Sequence, residues 1–428
     1  TGQASVDVRF GSPVDVLLQL PDEIIVCAIG EPEVEDLEAA LAGAADRSGP
    51  DGRGELVAVA VPFPVSQWGR DNAVAGHAPS SVDPSNLEPA HLLPRFASIN
   101  EHISTFLPAE SLVFAYLEDE LGPFIVSPLL FQGGNLMAAT NPETGERLLF
   151  IGEAEVHRNV ALGLTPDQTL ELFRIQLGVN RCIVLPAVSF HIDMEMTLRA
   201  LGGELHAHVL DDAAGARLII QSDLQRMAEQ GILPKTTAHD WLRALRNGDA
   251  AESLAGIRST LAPWARGTDA IARVDWRDDA EAEVLAALDV ARFIAAVDTL
   301  LAAQPPNVRA RLASDEWERR YLGSIADRLA HRAGLIALVE SIGIRVHHIP
   351  GLGDDQFAVN PINALQLADA VYVPIAGEEA LDLAAVRAYR QAYGPGVDVR
   401  PVHSSIAQGM YGGLHCMLTP IPAPARDH

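Results

Sequence analysis

Leu148-Leu149-Phe150-Ile151, a helix signal over Thr165–Leu177, and then Arg181-Cys182-Ile183-Val184-Leu185 form the stretch that sets the fold class. The two outer runs are short, apolar and rich in branched residues, which suits buried strands. Between them, Thr165-Pro166-Asp167 supplies a capping residue followed by proline in the first helical turn. Strand, helix, strand within forty residues is α/β alternation.

The same pattern extends in both directions. Strands are predicted at Val14–Leu20, Glu55–Val61, Ser111–Tyr116, Glu204–Leu210, Ile344–His348, Ala370–Ile375 and Val397–Pro401, with helices at Glu33–Ala45 and Glu379–Tyr393. From Ser222 to Ser341 strand signals give way to helix patterns at Ser222–Gln230, His239–Asn247, Glu281–Ala303 and Asp315–Glu340. Val284, Leu285, Leu288, Ala291 and Ile294 recur at helical spacing and predict one buried face, ended by Pro305-Pro306. The expectation is one catalytic domain over residues 1–428, interrupted by a helical insertion over 235–320 that packs on itself, on the α/β part or on a second chain, so a homo-oligomer stays open.

The 428 residues are 48% hydrophobic and 21% charged, which excludes a collagen, a coiled coil or a mostly disordered chain. The 31 basic residues against 57 acidic ones give a net charge of −26, so nucleic acid is not an expected partner and a cationic ligand is favoured at long range. Cys27, Cys182 and Cys416 cannot build a disulfide framework and form no Cys-x-x-Cys pair, so neither thiolate zinc nor any other metal is expected. The longest uncharged stretch, around Leu121–Pro142, carries prolines, Gly133-Gly134 and asparagines, which is wrong for a membrane span. The first residues show no basic-then-apolar leader; the expectation is a cytoplasmic protein, with a removed leader left open.

Four short segments carry candidate chemistry. Trp68-Gly69-Arg70-Asp71 alone reads as a surface ion pair under an indole. Gln132-Gly133-Gly134-Asn135 alone reads as a tight turn. His191-Ile192-Asp193, if extended, would point an imidazole and a carboxylate into one cavity. Gly412-Gly413-Leu414-His415-Cys416 holds a cysteine that by itself is an ordinary buried residue. His206-Ala207-His208 and His347-His348 lie in predicted strands and lack the companion spacing of a metal site.

In this order the four segments, with Pro361-Ile362-Asn363-Ala364, resemble the pentein, or guanidino-group modifying, superfamily, nearest its agmatine deiminases and bacterial-type peptidylarginine deiminases. The resemblance runs from residue 14 to residue 420, apart from the helical insertion. It implies a five-fold pseudosymmetric α/β propeller of ββαβ-type modules, with the site at its centre and no cofactor. It also implies a cationic guanidino substrate, either a small molecule or an arginine-containing peptide. Cys416 matches the nucleophile and His191 the general acid and base. Asp71 and Asp193 match the carboxylates that hold the guanidinium, and Trp68, Asn135 and Asn363 match residues lining the substrate. The chemistry fits: a guanidinium stays charged up to a pKa above about 12, and its planar fork suits carboxylates. The chain departs from agmatine deiminases at Gln132, where they carry Glu, at Asn72-Ala73-Val74, where they carry a Gly-Pro step, and in the helical insertion. Two alternatives share the motifs. One is an amidinotransferase that passes the amidino group to an amine, and the other is a non-catalytic binding protein on the same scaffold.

Overall fold

The computed structural model describes residues 24–29, 56–61, 73–80, 86–95, 113–114, 123–231, 233–247, 251–265, 281–353, 359–405, 408 and 412–418, with the backbone alone at 24–29, 56–61, 247, 260–265 and 281–289. The predicted strand Val14–Leu20 and helix Glu33–Ala45 lie outside these residues.

The described strands fall into five small sheets built on one rule. The first contains β1 (Ile24–Ile29) and β2 (Leu56–Val61), paired in parallel. The second has β3 (Val74–Pro79), β4 (Leu87–Leu93) and β5 (Phe124–Val126). The third has β6 (Leu136–Thr140), β7 (Arg147–Gly152) and, after helices α1 (Glu153–Ala161) and α2 (Pro166–Gln176), β8 (Arg181–Leu185). The fourth has β9 (Met196–Leu201), β10 (Glu204–Asp211) and, after a long helical passage, β11 (Arg345–Pro350). The fifth has β12 (Leu365–Gln366), β13 (Ala370–Ile375) and β14 (Asp398–His403). In each three-stranded sheet the first two strands are antiparallel and the third is parallel to the second. The middle strand is therefore flanked on both sides, and β7, β10 and β13 are buried along nearly their whole length while β6 alternates. Gly202 and Gly203 close the β9–β10 hairpin with φ of 59° and 89°, a two-residue turn that demands left-handed backbone at both positions.

α2 starts where the sequence indicates: Thr165 and Gln168 form a reciprocal capping box that brackets Pro166 at the first helical position. Val113 and Phe114 are helical, against the strand predicted at Ser111–Tyr116. Their strand propensity is overridden by packing, since Phe114 is buried with Ala73 and Leu93 and lies 4.9 Å from the His91 ring.

The helical passage between β10 and β11 begins earlier than predicted. The Asp211 side chain accepts from Ala214 N, so one residue ends β10 and caps α3 (Asp212–Glu229). α4 (Lys235–Asn247), α5 (Ala251–Ala265), α6 (Glu281–Ala302), α7 (Pro306–Leu312) and α8 (Glu316–Ser341) follow. Of the face predicted on α6, Val284, Leu285 and Leu288 lie outside the described side chains. From Ala291 to Leu301 every residue except Ile294 is buried, so this part is enclosed on all sides, against α3, α5 and α8. The same core cluster includes Leu352, Val359, Ala376 and Leu381, which joins the helices to the loops that follow β11 and β13. Arg332 of α8, fully buried, pairs with Glu195 at 2.7 Å and with Asp212, and so ties α8 to the turn before β9. After β13 comes α9 (Glu379–Tyr393), and after β14 the short α10 (Leu414–Met417). No described helix is long and apolar enough to cross a membrane.

Candidate active site

Three turns, each just ahead of the first strand of a sheet, converge with α10. Gln132–Asn135 leads into β6, His191–Met194 into β9, and Asn360–Asn363 into β12. The His191–Asp193 pair does not sit on an extended strand. His191 is extended, with φ −134° and ψ 144°, but Ile192–Met194 form a single 3₁₀ turn, and this turn swings the carboxylate to the imidazole's side. Cys416, 223 residues beyond Asp193, completes the group. One donor atom from each of His191, Asp193 and Cys416 falls within 4.8 Å of the others. All three are 3–4% exposed.

The nucleophile candidate is held from three sides. Asn363 Oδ1 accepts from Gly413 N and Cys416 N, both at 3.0 Å, while its Nδ2 donates to Cys416 Sγ at 3.1 Å and to Asp193 O at 3.3 Å. His415 N donates to Asn363 O at 3.2 Å. One wholly buried amide thus shapes the backbone around Cys416 and supports negative charge on its sulfur. Across the sulfur, Asp193 Oδ2 lies 3.6 Å away and also takes His415 Nδ1 at 2.7 Å.

The second turn is held by the first. Asn135 Oδ1 accepts from Ile192 N at 3.0 Å, and its Nδ2 donates to Phe190 O at 2.9 Å and to Glu155 Oε1 at 2.8 Å. Its amide is engaged in framing the His191 loop. Gly134 is required by closeness: a Cβ there would stand 2.6 Å from His191 Nδ1 and 3.2 Å from Asp193 Oδ1. Gln132 Oε1 meets His191 Nε2 at 3.0 Å and accepts from Arg158 Nη2 at 2.7 Å. Burial dominates in holding the His191 imidazole below its ordinary pKa, with Asp193 and Glu155 pulling the other way. Glu155 is pushed up by its burial, against the pull of Arg158. The Phe190 ring, 43% exposed, lies 4.5 Å from the His191 ring, so the protein surface is one residue from the imidazole.

The structure therefore brings Cys416, His191, Asp193 and Asn363 together, with Asn135 one layer behind. Trp68, Arg70 and Asp71 lie outside the described residues. Sequence reasoning missed Glu155, Arg158 and the partnership of His415 with Asp193. The Glu155/Arg158 spacing, three apart on a helix, is a readable ion-pair signal, but α1 itself was not foreseen because Gly152 starts it without a side-chain cap. His206 and His208 of β10 each contact His347 of β11 directly. His206 Nδ1 and His347 Nε2 meet directly at 2.8 Å, closer than two ligands of one tetrahedral ion, and His208 stacks between His347 and Tyr389. Cys182 Sγ donates to Leu170 O at 3.5 Å, and burial raises its pKa to about 11, an inert thiol.

No protein-family model and no curated protein sequence matches the chain. Among solved structures, it is similar to the C. jejuni agmatine deiminase at a TM-score of 0.48 and 10% identity, over 96% of this chain and 85% of that one. A substrate-bound form of the C. jejuni enzyme gives 0.47 and 11%, over 96% and 86%. The agmatine deiminase of Enterococcus faecalis gives 0.46 and 11%, over 95% of this chain and 94% of that chain.

Proposed function

We propose that this protein is a guanidine deiminase, converting a guanidino group to a ureido group and ammonia through a covalent intermediate on Cys416. The observation that carries the reading is the buried Cys416–His191–Asp193 cluster, assembled from distant segments, with Asn363 donating to the sulfur. A thiol, an imidazole and a carboxylate at this spacing are the parts that nucleophilic displacement at a cationic carbon requires.

The steps follow from the groups present. The substrate's guanidinium lies against Asp193, whose charge suits its N–H fork. Asp71 is the second carboxylate expected there, with Trp68 beside it. Neutral His191 takes the thiol proton, and the Cys416 thiolate attacks the guanidinium carbon. The tetrahedral adduct expels ammonia as the C–N bond breaks, with His191 returning the proton to the leaving nitrogen. A water then attacks the S-alkylthiouronium, giving one proton to His191; the C–S bond breaks as the C=O bond forms, the remaining hydroxyl proton leaves with ammonia as ammonium, and His191 returns its proton to the departing thiolate. Asn363 supports the sulfur whenever it carries charge, and Asn135 keeps the His191 loop in register.

Agmatine-like amines and arginine peptides are the substrate classes we favour. The repeated ββαβ sheets support a pentein-type ring around this cluster, and the helices over residues 235–320 support an insertion within one catalytic unit. A panel of agmatine, free arginine, arginine peptides and small guanidino acids, assayed for ureido product and ammonia, tests the reading. Ammonia and ureido product together uphold hydrolysis. Turnover that requires an added amine and releases no ammonia would replace it with amidino transfer.

A further inference from the structure

We propose that Gln132 and Arg158 form a tautomer lock on His191, making Nε2 the proton-bearing nitrogen and leaving Nδ1 as the atom that takes and returns protons. The consequence for turnover rests on the deiminase reading above; the lock itself stands on geometry.

Arg158 has donors and no acceptor, so the Gln132 atom 2.7 Å from its Nη2 is the amide oxygen and not the nitrogen. That same oxygen is 3.0 Å from His191 Nε2. An amide oxygen can only accept, so Nε2 carries hydrogen, and in a neutral ring Nδ1 is then a bare acceptor. Nδ1 is the nitrogen that faces Gly134 and Asp193, on the side of the reacting cluster. Arg158 is itself fixed, with Nη1 at 3.0 and 3.2 Å from the two Glu155 oxygens, and Glu155 is fixed by Asn135. The amide orientation is thus set from α1 and not by the imidazole.

Among the described residues, the titratable and charged groups facing His191 are Asp193 from its own turn, Cys416 from α10, and Glu155 and Arg158 from α1. With the ring neutral at rest, the position of its single proton decides whether it can relieve the thiol. A glutamine in place of the glutamate of agmatine deiminases has a physical meaning here. It orients the ring without placing a full negative charge beside it, so a proton taken up at Nδ1 is given back more readily.

The test uses the full-length protein labelled with ¹⁵N-histidine, read by long-range ¹H–¹⁵N NMR at neutral pH, with the His191 signals assigned by their loss in His191→Gln. The wild type should show His191 as the Nε2–H tautomer, and Gln132→Met should shift population to Nδ1–H. Gln132→Glu should keep Nε2–H and move the imidazole titration up by about one pH unit, along with the acid limb of kcat/KM. In kinetics Gln132→Met should lower kcat by about tenfold or more with KM nearly unchanged, and Gln132→Glu should recover part of it at higher pH. An Nδ1–H ring in the wild type, or a tautomer indifferent to Gln132→Met, overturns the lock. Because the tautomer is read without substrate, a protein inactive on every guanidine would defeat the deiminase reading and leave the lock standing. If Gln132→Met does not fold, the wild-type spectrum and Gln132→Glu decide.

Discussion

Asn135 and Asp193 occupy the same kind of place in successive sheets, and the structure uses them differently. Each lies within three residues of the first strand of its sheet, in a 3₁₀ turn, and each is 2–3% exposed. Asn363 repeats the placement two residues before β12. The Asn135 amide is engaged in framing the His191 loop and in holding Glu155, and the Asn363 amide frames the loop around Cys416 with its oxygen while its nitrogen donates to the Cys416 sulfur. The carboxylate of Asp193 meets a histidine and a thiol instead. An amide can both donate and accept without carrying charge, so it can be buried as scaffolding at little cost. A buried carboxylate needs a cation, which under the proposed function the guanidinium substrate supplies. One turn geometry therefore yields a frame or a reacting site according to one atom, N or O.

The comparison can be broken by exchanging those atoms. Removing the nucleophile is the largest change: Cys416→Ala and Cys416→Ser should abolish ureido production while the circular dichroism spectrum and melting temperature stay near those of the wild type. Asp193→Asn makes the reacting turn resemble its framing neighbours and leaves the bound cation short of a charged partner. The cost is about 3–5 kcal/mol, or roughly two to four decades in kcat/KM. Asp71→Asn should fall in the same range, and losses under about tenfold at both positions would mean the guanidinium is held elsewhere.

Asn363→Asp is the converse exchange. It keeps the acceptor for Gly413 N and Cys416 N but loses the donor to Cys416 Sγ, so kcat should fall about a hundredfold with little change in urea midpoint. A large stability loss without a kinetic one would reverse the assignment. Asn135→Ala leaves Ile192 N and Glu155 short of a partner, and its main effect should be on stability, about 1–3 kcal/mol by urea unfolding.

The comparison also separates acid effects on turnover from acid effects on the fold. His208 lies on β10, and burial, reinforced by His347, His206 and Arg199, pushes its pKa from 6.5 to about 3. A depressed histidine is neutral in the folded protein, so its contribution is complete above the unfolded value near 6.5 and declines as pH falls toward 3. Wild type should lose about 1.4 kcal/mol per pH unit across that window from this group, and His208→Phe should flatten the dependence of melting temperature on pH without moving the acid limb of kcat/KM. A kinetic limb that shifts with His208→Phe would break the separation.

Much of the α/β pattern was legible in sequence because middle strands such as Arg147–Gly152 and Ala370–Ile375 are buried along nearly their whole length and read as apolar runs. The five-sheet repeat was not legible, since it lies in pairing order and in turn position rather than in recurring residues. Cys416, His191 and Asp193 were legible as motif members, yet their convergence depends on the 3₁₀ turn at Ile192–Met194, where the i, i+2 reading assumed extended backbone. Asn363 was named as a lining residue, and its four hydrogen bonds show how it shapes the loop that presents Cys416. Gln132 was visible only as a departure from a pattern. Its meaning required Arg158, on a helix with no capping side chain to announce it.

The central claim is that Cys416 attacks a guanidinium carbon and carries it through hydrolysis. Acid-quenching the enzyme during turnover of agmatine or an arginine peptide, followed by intact-mass and peptide mapping, tests this most directly. The account predicts an adduct equal to substrate minus ammonia on the peptide containing Cys416, decaying as ureido product forms and absent in Cys416→Ser. Ureido product formed at wild-type rate by Cys416→Ser, with no adduct on that peptide in either protein, would contradict it.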